Sequence, residues 1–264
     1  MTLSLTIAAE APGLAQRLGK TLATLPMSYR ASDNSASASV MFIAGNGDWA
    51  ARATAAIDAG ACGVIIADPG ITDADAILKL ADRTEQAGAV VELAERYAGD
   101  PTLLRHRADL IEHLAATSTI LISQVCDFAT PADAALDMVR TAHALGQRLT
   151  LTHLWQASHA VVVRGTAGEK LFEGMATIGS GGAGQRIDAL GFGRTLRLAL
   201  RGDGSASPSD LRIANAKGER KLSLVYESVE RAALLRAHAA LNGGQSTSQP
   251  LRQFAADVAM IQAL

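Results

Sequence analysis

Hydrophobic and polar positions follow two rhythms along this chain. In the N-terminal part, short apolar runs alternate with longer segments of helical period. LSLTIAA, from Leu3, reads as a strand, and PGLAQRLGKTLATL, from Pro12, as an amphipathic helix. MSYRAS is a short strand leading into the polar run DNSASAS. VMFIAG, from Val40, is a buried strand, and DWAARATAAIDAG is a helix closed by Gly60. GVIIADP, from Gly63, is the next strand, and TDADAILKLADRTEQAG is a helix capped by Thr72 or Asp73. AVVELAERY, from Ala89, completes the series. Strand–helix alternation of this kind builds a parallel sheet with helices on its faces.

Near residue 118 the rhythm changes. TILISQVCDF is strand-like, and PADAALDMVRTAHALG is a helix with Pro131 in its first turn. LTLTHLWQASHAVVVRG, LFEGMATIG, TLRLALRG, LRIANA and KLSLVYES follow, separated by glycine-rich turns, as in an antiparallel sheet. Two helical segments, ESVERAALLRAHAALNGG and PLRQFAADVAMIQAL, close the chain. The pattern predicts an α/β Rossmann-like domain with a parallel sheet over residues 1–117, followed over 118–264 by an α+β domain with an open, mostly antiparallel sheet. GSGGAG at 179–184 sits among antiparallel strands with no helix after it, so it reads as a hairpin loop and not as a phosphate loop.

Composition narrows the function. The chain has 264 residues, 48% apolar and 19% charged, enough for a sizeable core. A net charge of -2 offers no basic field for nucleic acid or anionic membrane, and aromatics at 4% offer no base-stacking surface. No apolar run approaches the roughly 20 residues of a membrane span, and the N-terminal apolar run is too short, with no basic residues before it, for a signal peptide. Two isolated cysteines, Cys62 and Cys126, make neither a disulfide framework nor a zinc site, so a reducing, cytoplasmic setting is expected.

Several segments, in order and spacing, resemble the glucose–fructose oxidoreductase/inositol dehydrogenase (Gfo/Idh/MocA) family of NAD(P)-dependent enzymes, in a shortened and degenerate form. AAIDAG with GVIIADP is similar to the family's A-L-x-A-G-K-H-V-x-x-E-K-P segment, and Arg96, Tyr97 and Pro101 keep the form of its R-Y/F-x-x-x-P turn. DLRIANAKGERKLSL resembles its strand–G-T-x-G–strand hairpin, and the segment ending in PLRQFAADVAMIQAL its closing helix. The likeness spreads over nearly the whole chain.

At the functional positions the sequence departs from the family. The family's G-x-G-x-x-G falls on Ala9–Leu14, where all three glycines are replaced and Glu10 puts a carboxylate beside the expected pyrophosphate. At close range that repulsion costs about 1–4 kcal/mol. The catalytic lysine of E-K-P falls on Asp68, with only Pro69 kept, and a carboxylate accepts a proton but offers no cationic hydrogen bond. The histidine of T-P-N-x-x-H falls on Trp49, with Asn46 kept. The D-x-x-x-H pair falls on Thr130 and Ala134, with Asp127 nearby, so its histidine is lost. Asp33 stands at about the right distance to bind a ribose hydroxyl, although an Asp-Asn pair after a short strand reads first as a turn. If a cofactor binds, the resemblance assigns it Asp33, Asn46, Pro69 and Arg96; the remaining catalytic candidates are Asp68 and Asp127, a carboxylate pair if both face one cleft and solvated loop acids otherwise.

Other chemistries find little support. His153 and His159 would share a face of one regular strand but lack a third metal ligand, and no metal is expected. His106 and His113 read as a solvated helix face. No serine sits in a G-x-S-x-G elbow. The arginines of RTLRLALRG belong to the solvent face of a strand. The resemblance implies a homo-oligomer, or a hetero-oligomer with an active homologue, paired through the C-terminal sheet. Three readings remain. The first is a non-catalytic subunit, scaffold or ligand sensor without NAD(P). The second is a working NAD- or NADP-dependent oxidoreductase on a sugar, polyol or related hydroxy compound with a remodelled site. The third is cofactor-free lyase or isomerase chemistry.

Overall fold

The computed structural model describes residues 5–25, 28–32, 38–128, 130–179, 182–202, 206–243 and 248–264. The first strands are β1 (Leu5–Ala9), β2 (Tyr29–Ala31), β3 (Val40–Ala44), β4 (Gly63–Ala67) and β5 (Val90–Ala94). Helices α1 (Pro12–Leu22), α2 (Trp49–Asp58) and α3 (Ala74–Ala87) connect them. The sheet order is β2-β1-β3-β4-β5, and every pairing is parallel. All five residues of β4 are buried, as a central strand with both faces covered requires. The α3 helix starts at Asp73, whose side chain accepts the N–H of Asp75 at 3.2 Å.

The second group comprises α4 (Pro101–Arg105), α5 (Arg107–Ala115), β6 (Thr119–Cys126) and α6 (Pro131–Ala144). It continues with β7 (Leu149–Ala157), β8 (Ala160–Ala167), β9 (Lys170–Ile178), β10 (Gly184–Gly191), β11 (Arg194–Arg201), β12 (Asp210–Asn215) and β13 (Gly218–Lys221). These eight strands form one sheet in the order β13-β12-β11-β10-β6-β9-β8-β7. Pairing is antiparallel except between β6 and β9. Helices α5 and α6 cover one face, and the other alternates outward: Leu196, Leu198 and Leu200 of β11 are buried while Arg197, Ala199 and Arg201 are exposed. The chain ends with α7 (Val229–Gly243) and α8 (Ser248–Gln262).

The fold class matches the one the sequence predicts, a Rossmann-like parallel sheet followed by an α+β domain. Compact units run over Met1–Glu95 with Glu230–Ala259, and over Arg96–Val229 with Met260–Leu264, where the sequence reading divides the chain at 117. The reasons are local. The Tyr97 turn packs on Gly202 beyond β11, and α5 lies against β11, so this stretch belongs with the larger sheet. At the other end α7 returns to the first unit, where Arg236 pairs with Glu92 of β5 at 3.0 Å and Tyr29 donates to the Leu234 carbonyl at 2.7 Å.

Three expectations change. The 179–184 run, of which residues 180 and 181 lie outside the described residues, falls between β9 and β10, and these strands have β6 between them and form no hairpin. LTHLWQASH is a strand and a turn: Ala157 pairs with Ala160 across the β7–β8 hairpin, which puts His159 in the bend and off the face of His153. His106 breaks the expected single helix between α4 and α5, and His113 is buried, its Nε2 3.0 Å from the Thr195 carbonyl, rather than solvated.

Candidate functional site

Open α/β sheets bind ligands beyond the carboxyl ends of their strands, where the strand order reverses. In the first unit that point lies between β1 and β3. The chain leaves β1 at Glu10, whose N–H donates to the Phe42 carbonyl at 2.9 Å. The Glu10 carboxylate turns across the gap, accepting the Ala44 N–H at 3.2 Å and an Arg52 guanidinium N–H at 2.5 Å. Arg52, on the first turn of α2, also donates to the Ala44 carbonyl at 3.0 Å and to the carbonyl of Asn46. Its Nε lies 3.3 Å from Asp48 Oδ1, an ion pair without hydrogen-bond geometry. Beyond Glu10, α1 begins with Ala11 at its N-cap and Pro12 in its first turn. Ala11 provides no side-chain cap, and Pro12 has no N–H to offer.

The adjacent strand end is equally engaged. Asp68 follows β4 with φ of 50°, the left-handed region that side chains other than glycine seldom adopt. This turn directs its carboxylate to Arg17 of α1, Nη1 to Oδ2 at 3.0 Å. Arg17 also grips Glu230, which is 5% exposed at the start of α7. Burial opposes the Arg17 charge, but the two carboxylates outweigh it and hold the guanidinium pKa above its ordinary value.

Pro69 acts through shape. A Cβ on Gly45 would lie 2.4 Å from the Pro69 Cα and 2.5 Å from the Asp68 carbonyl oxygen, so only glycine lets the β3 and β4 loops meet. Two hydrogen bonds of 2.7 Å, Gly45 N to Ala67 O and Gly70 N to Gly45 O, join them. Trp49, which the sequence resemblance aligns with a histidine, is fully buried, donates its indole N–H to the Gly70 carbonyl at 2.9 Å and meets Phe254 edge-on. It is a clamp on the loop.

Asp127, the other catalytic candidate, belongs to the second unit, where it pairs with Arg96. The Arg96 guanidinium also lies 4.9 Å from the Phe128 ring centroid. Thr130 is the N-cap of α6, accepting the Asp133 N–H at 3.1 Å and donating to its carboxylate at 2.7 Å. Ala134 is buried. Asp68 and Asp127 are each held by an arginine of their own unit. Asn46 contributes acceptors to Arg52, and Asp33 lies outside the described residues.

No family model matches the chain, and no curated protein does. Solved structures resemble it over its length. KijD10, a 3-ketoreductase from Actinomadura kijaniata solved in complex with NADP, has a TM-score of 0.75 at 10% identity, covering 99% of this chain and 97% of its own. The UDP-N-acetylglucosamine 3-dehydrogenase GnnA from Acidithiobacillus ferrooxidans has a TM-score of 0.72 at 11% identity, with 99% and 97% covered. A dehydrogenase from Chromobacterium violaceum gives 0.71 at 12%, with 99% and 95% covered. The fold is that of the Gfo/Idh/MocA dehydrogenases.

On this Gfo/Idh/MocA fold, the residues that sequence reasoning missed are the cations. Arg17 and Arg52 lie on helices, and nothing in their immediate sequence marks them as partners of Asp68 and Glu10. Glu230 lies still farther off in sequence, on α7. Among the described residues no group of three His, Cys, Asp or Glu side chains is placed to hold a metal ion, and no helix is long and apolar enough to cross a membrane. Cys62 and Cys126 are free thiols, the first exposed and the second buried.

Proposed function

We propose that this chain uses the Gfo/Idh/MocA fold without a nicotinamide cofactor, as a non-catalytic subunit, scaffold or ligand sensor. One observation carries the reading: the Glu10 carboxylate, tied to Arg52 and the Ala44 N–H, spans the switch point between β1 and β3. A dinucleotide's diphosphate needs free backbone N–H groups and no nearby anion at a helix N-terminus. This edge presents the Glu10 carboxylate, and Pro12 removes one N–H from the first turn of α1, so the residues do not fit the group. Asp68, paired with Arg17, stands where the family's lysine would hydrogen-bond the reacting hydroxyl.

The alternative is a working oxidoreductase on a sugar, polyol or related hydroxy compound. It is favoured by the neighbours themselves, one of which was solved in complex with NADP. Turnover separates the two. The purified chain, offered NAD or NADP with sugars, polyols and sugar acids, is expected to show no change in nicotinamide absorbance. Steady turnover with any pair would support the alternative.

The same reading gives the chain a partner, a second copy or an active homologue docked on the outer face of the larger sheet. That face carries exposed Leu121, Val125, Trp155, Leu171 and Met175 among the salt-bridged pairs Arg164–Glu173 and Arg186–Asp188. Exposed apolar residues grouped on one sheet face suit an interface better than free solvent. Light scattering on the purified chain, alone and co-expressed with its neighbouring genes, tests it; a lone monomer under both conditions would contradict it.

A further inference from the structure

The covered face of the larger sheet contains a polar relay whose direction is set from one end. Asp137 of α6 is 9% exposed, Gln124 of β6 4% and Gln185 of β10 2%. A carboxylate only accepts, so Gln124 turns its amide nitrogen to Asp137 Oδ2, at 3.0 Å. Its oxygen then accepts from Gln185 Nε2, at 2.8 Å. The relay therefore ends on Gln185 Oε1, a buried acceptor with no donor among the described residues.

A complementary orphan belongs to the same unit. Tyr97 is fully buried, and its hydroxyl has no hydrogen-bond partner among the described residues. It sits over Gly202, where a Cβ would come within 2.4 Å of the hydroxyl oxygen. Gly202 is two residues beyond Leu200, the cross-strand partner of Gln185, and Leu200 and Gln185 are both buried on the covered face. Such diagonal positions in an antiparallel pair lie about 7–8 Å apart. Burial first, then the Asp137 charge, raise the Tyr97 pKa far above the ordinary phenol value, so the hydroxyl keeps its proton and remains a donor in the carboxylate's neighbourhood. A donor and an acceptor left unpaired in one interior each carry a desolvation penalty.

We infer that Tyr97 and Gln185 frame an internal site for one hydroxylic guest, an ordered water, which accepts from Tyr97 Oη and donates to Gln185 Oε1. A buried water needs two to four polar partners, and this pair supplies the first two with matching polarity. The site ties the Arg96–Tyr97 turn to β10 and, through the relay, to β6 and α6. It involves no cofactor and stands or falls apart from the reading of the parallel-sheet edge.

The test combines a high-resolution crystal structure of the full chain with a double-mutant cycle on Tyr97→Phe and Gln185→Leu. One ordered density peak within hydrogen-bonding distance of both atoms is expected. Each variant should lower the thermal midpoint by about 2–4 °C, and the double variant by less than their sum, because both lose the same guest. No peak, or a direct Tyr97–Gln185 hydrogen bond, would overturn the inference. So would strictly additive losses, or a raised midpoint in Tyr97→Phe, the result expected of a hydroxyl buried with no partner.

Discussion

The Asp68 carboxylate lies 3.0 Å from the Arg17 guanidinium, which also holds buried Glu230. One cation of α1 thus ties the end of β4 to the start of α7 within the first unit. Removing it leaves two carboxylates without their shared counter-charge, one of them buried. Glu230 retains the favourable field of its own helix N-terminus, and Arg17 is partly solvated, so the full cost of breaking a buried pair does not apply. Arg17→Gln is expected to destabilise the fold by about 1–3 kcal/mol, read as a lower urea midpoint. No change would mean that the pair is merely superficial.

Asp68 combines this ion pair with a left-handed backbone, and two substitutions separate the effects. Asp68→Gly loses the ion pair and relieves the backbone. Asp68→Ala loses the ion pair and keeps a Cβ in a conformation that costs roughly 1–2 kcal/mol. The alanine variant should therefore be less stable than the glycine variant by about that amount, measured by chemical denaturation. Equal stabilities would mean that the turn relaxes freely.

Gly45 makes the closest backbone approach at this edge. Gly45→Ala drives a methyl group into the Asp68–Pro69 backbone, which has no rotamer to yield with. A loss of about 1–3 kcal/mol is expected, with faster hydrogen exchange at the Gly45 and Gly70 amides, whose bonds close the two loops. Unchanged exchange there would contradict the tight junction.

The fold class was legible in the sequence wherever one rhythm dictated it. The unbroken apolar run of β4 needs two covered faces, and the alternation in RTLRLALR needs one open face. Which partner an apolar stripe meets is not written locally. The α7 pattern says that one face is buried, but its return to the first unit rests on Arg236 reaching Glu92 and Tyr29 reaching Leu234, contacts made across the whole length of the larger sheet's sequence. For the candidate site, the sequence pointed to positions and not to their environment. Alignment with the family picked out Asp68 and Glu10 by position, while the arginines that pair with them come from helices whose spacing gives no such hint. His113 looked solvated because charged neighbours surround it in sequence, although its own side chain turns toward β11.

Glu92 gives a pH signature. Its side chain is 15% exposed, and burial, opposed by Arg236, raises its pKa above the ordinary 4.5. Below 4.5 the group is protonated folded or unfolded, and its contribution is fully present. As pH rises through the raised value, the unfolded state sheds its proton more readily and that stability is lost. Glu92→Gln should therefore flatten part of the decline in unfolding free energy as pH rises above 4.5. A decline as steep as in the parent protein would contradict the shift.

The central claim is that the Glu10–Arg52 bridge leaves a dinucleotide no seat between β1 and β3. Calorimetric titration of the purified chain with NADH and, separately, NADPH tests it most directly. The account predicts no saturable heat with either up to millimolar concentration; a micromolar dissociation constant for either would contradict it.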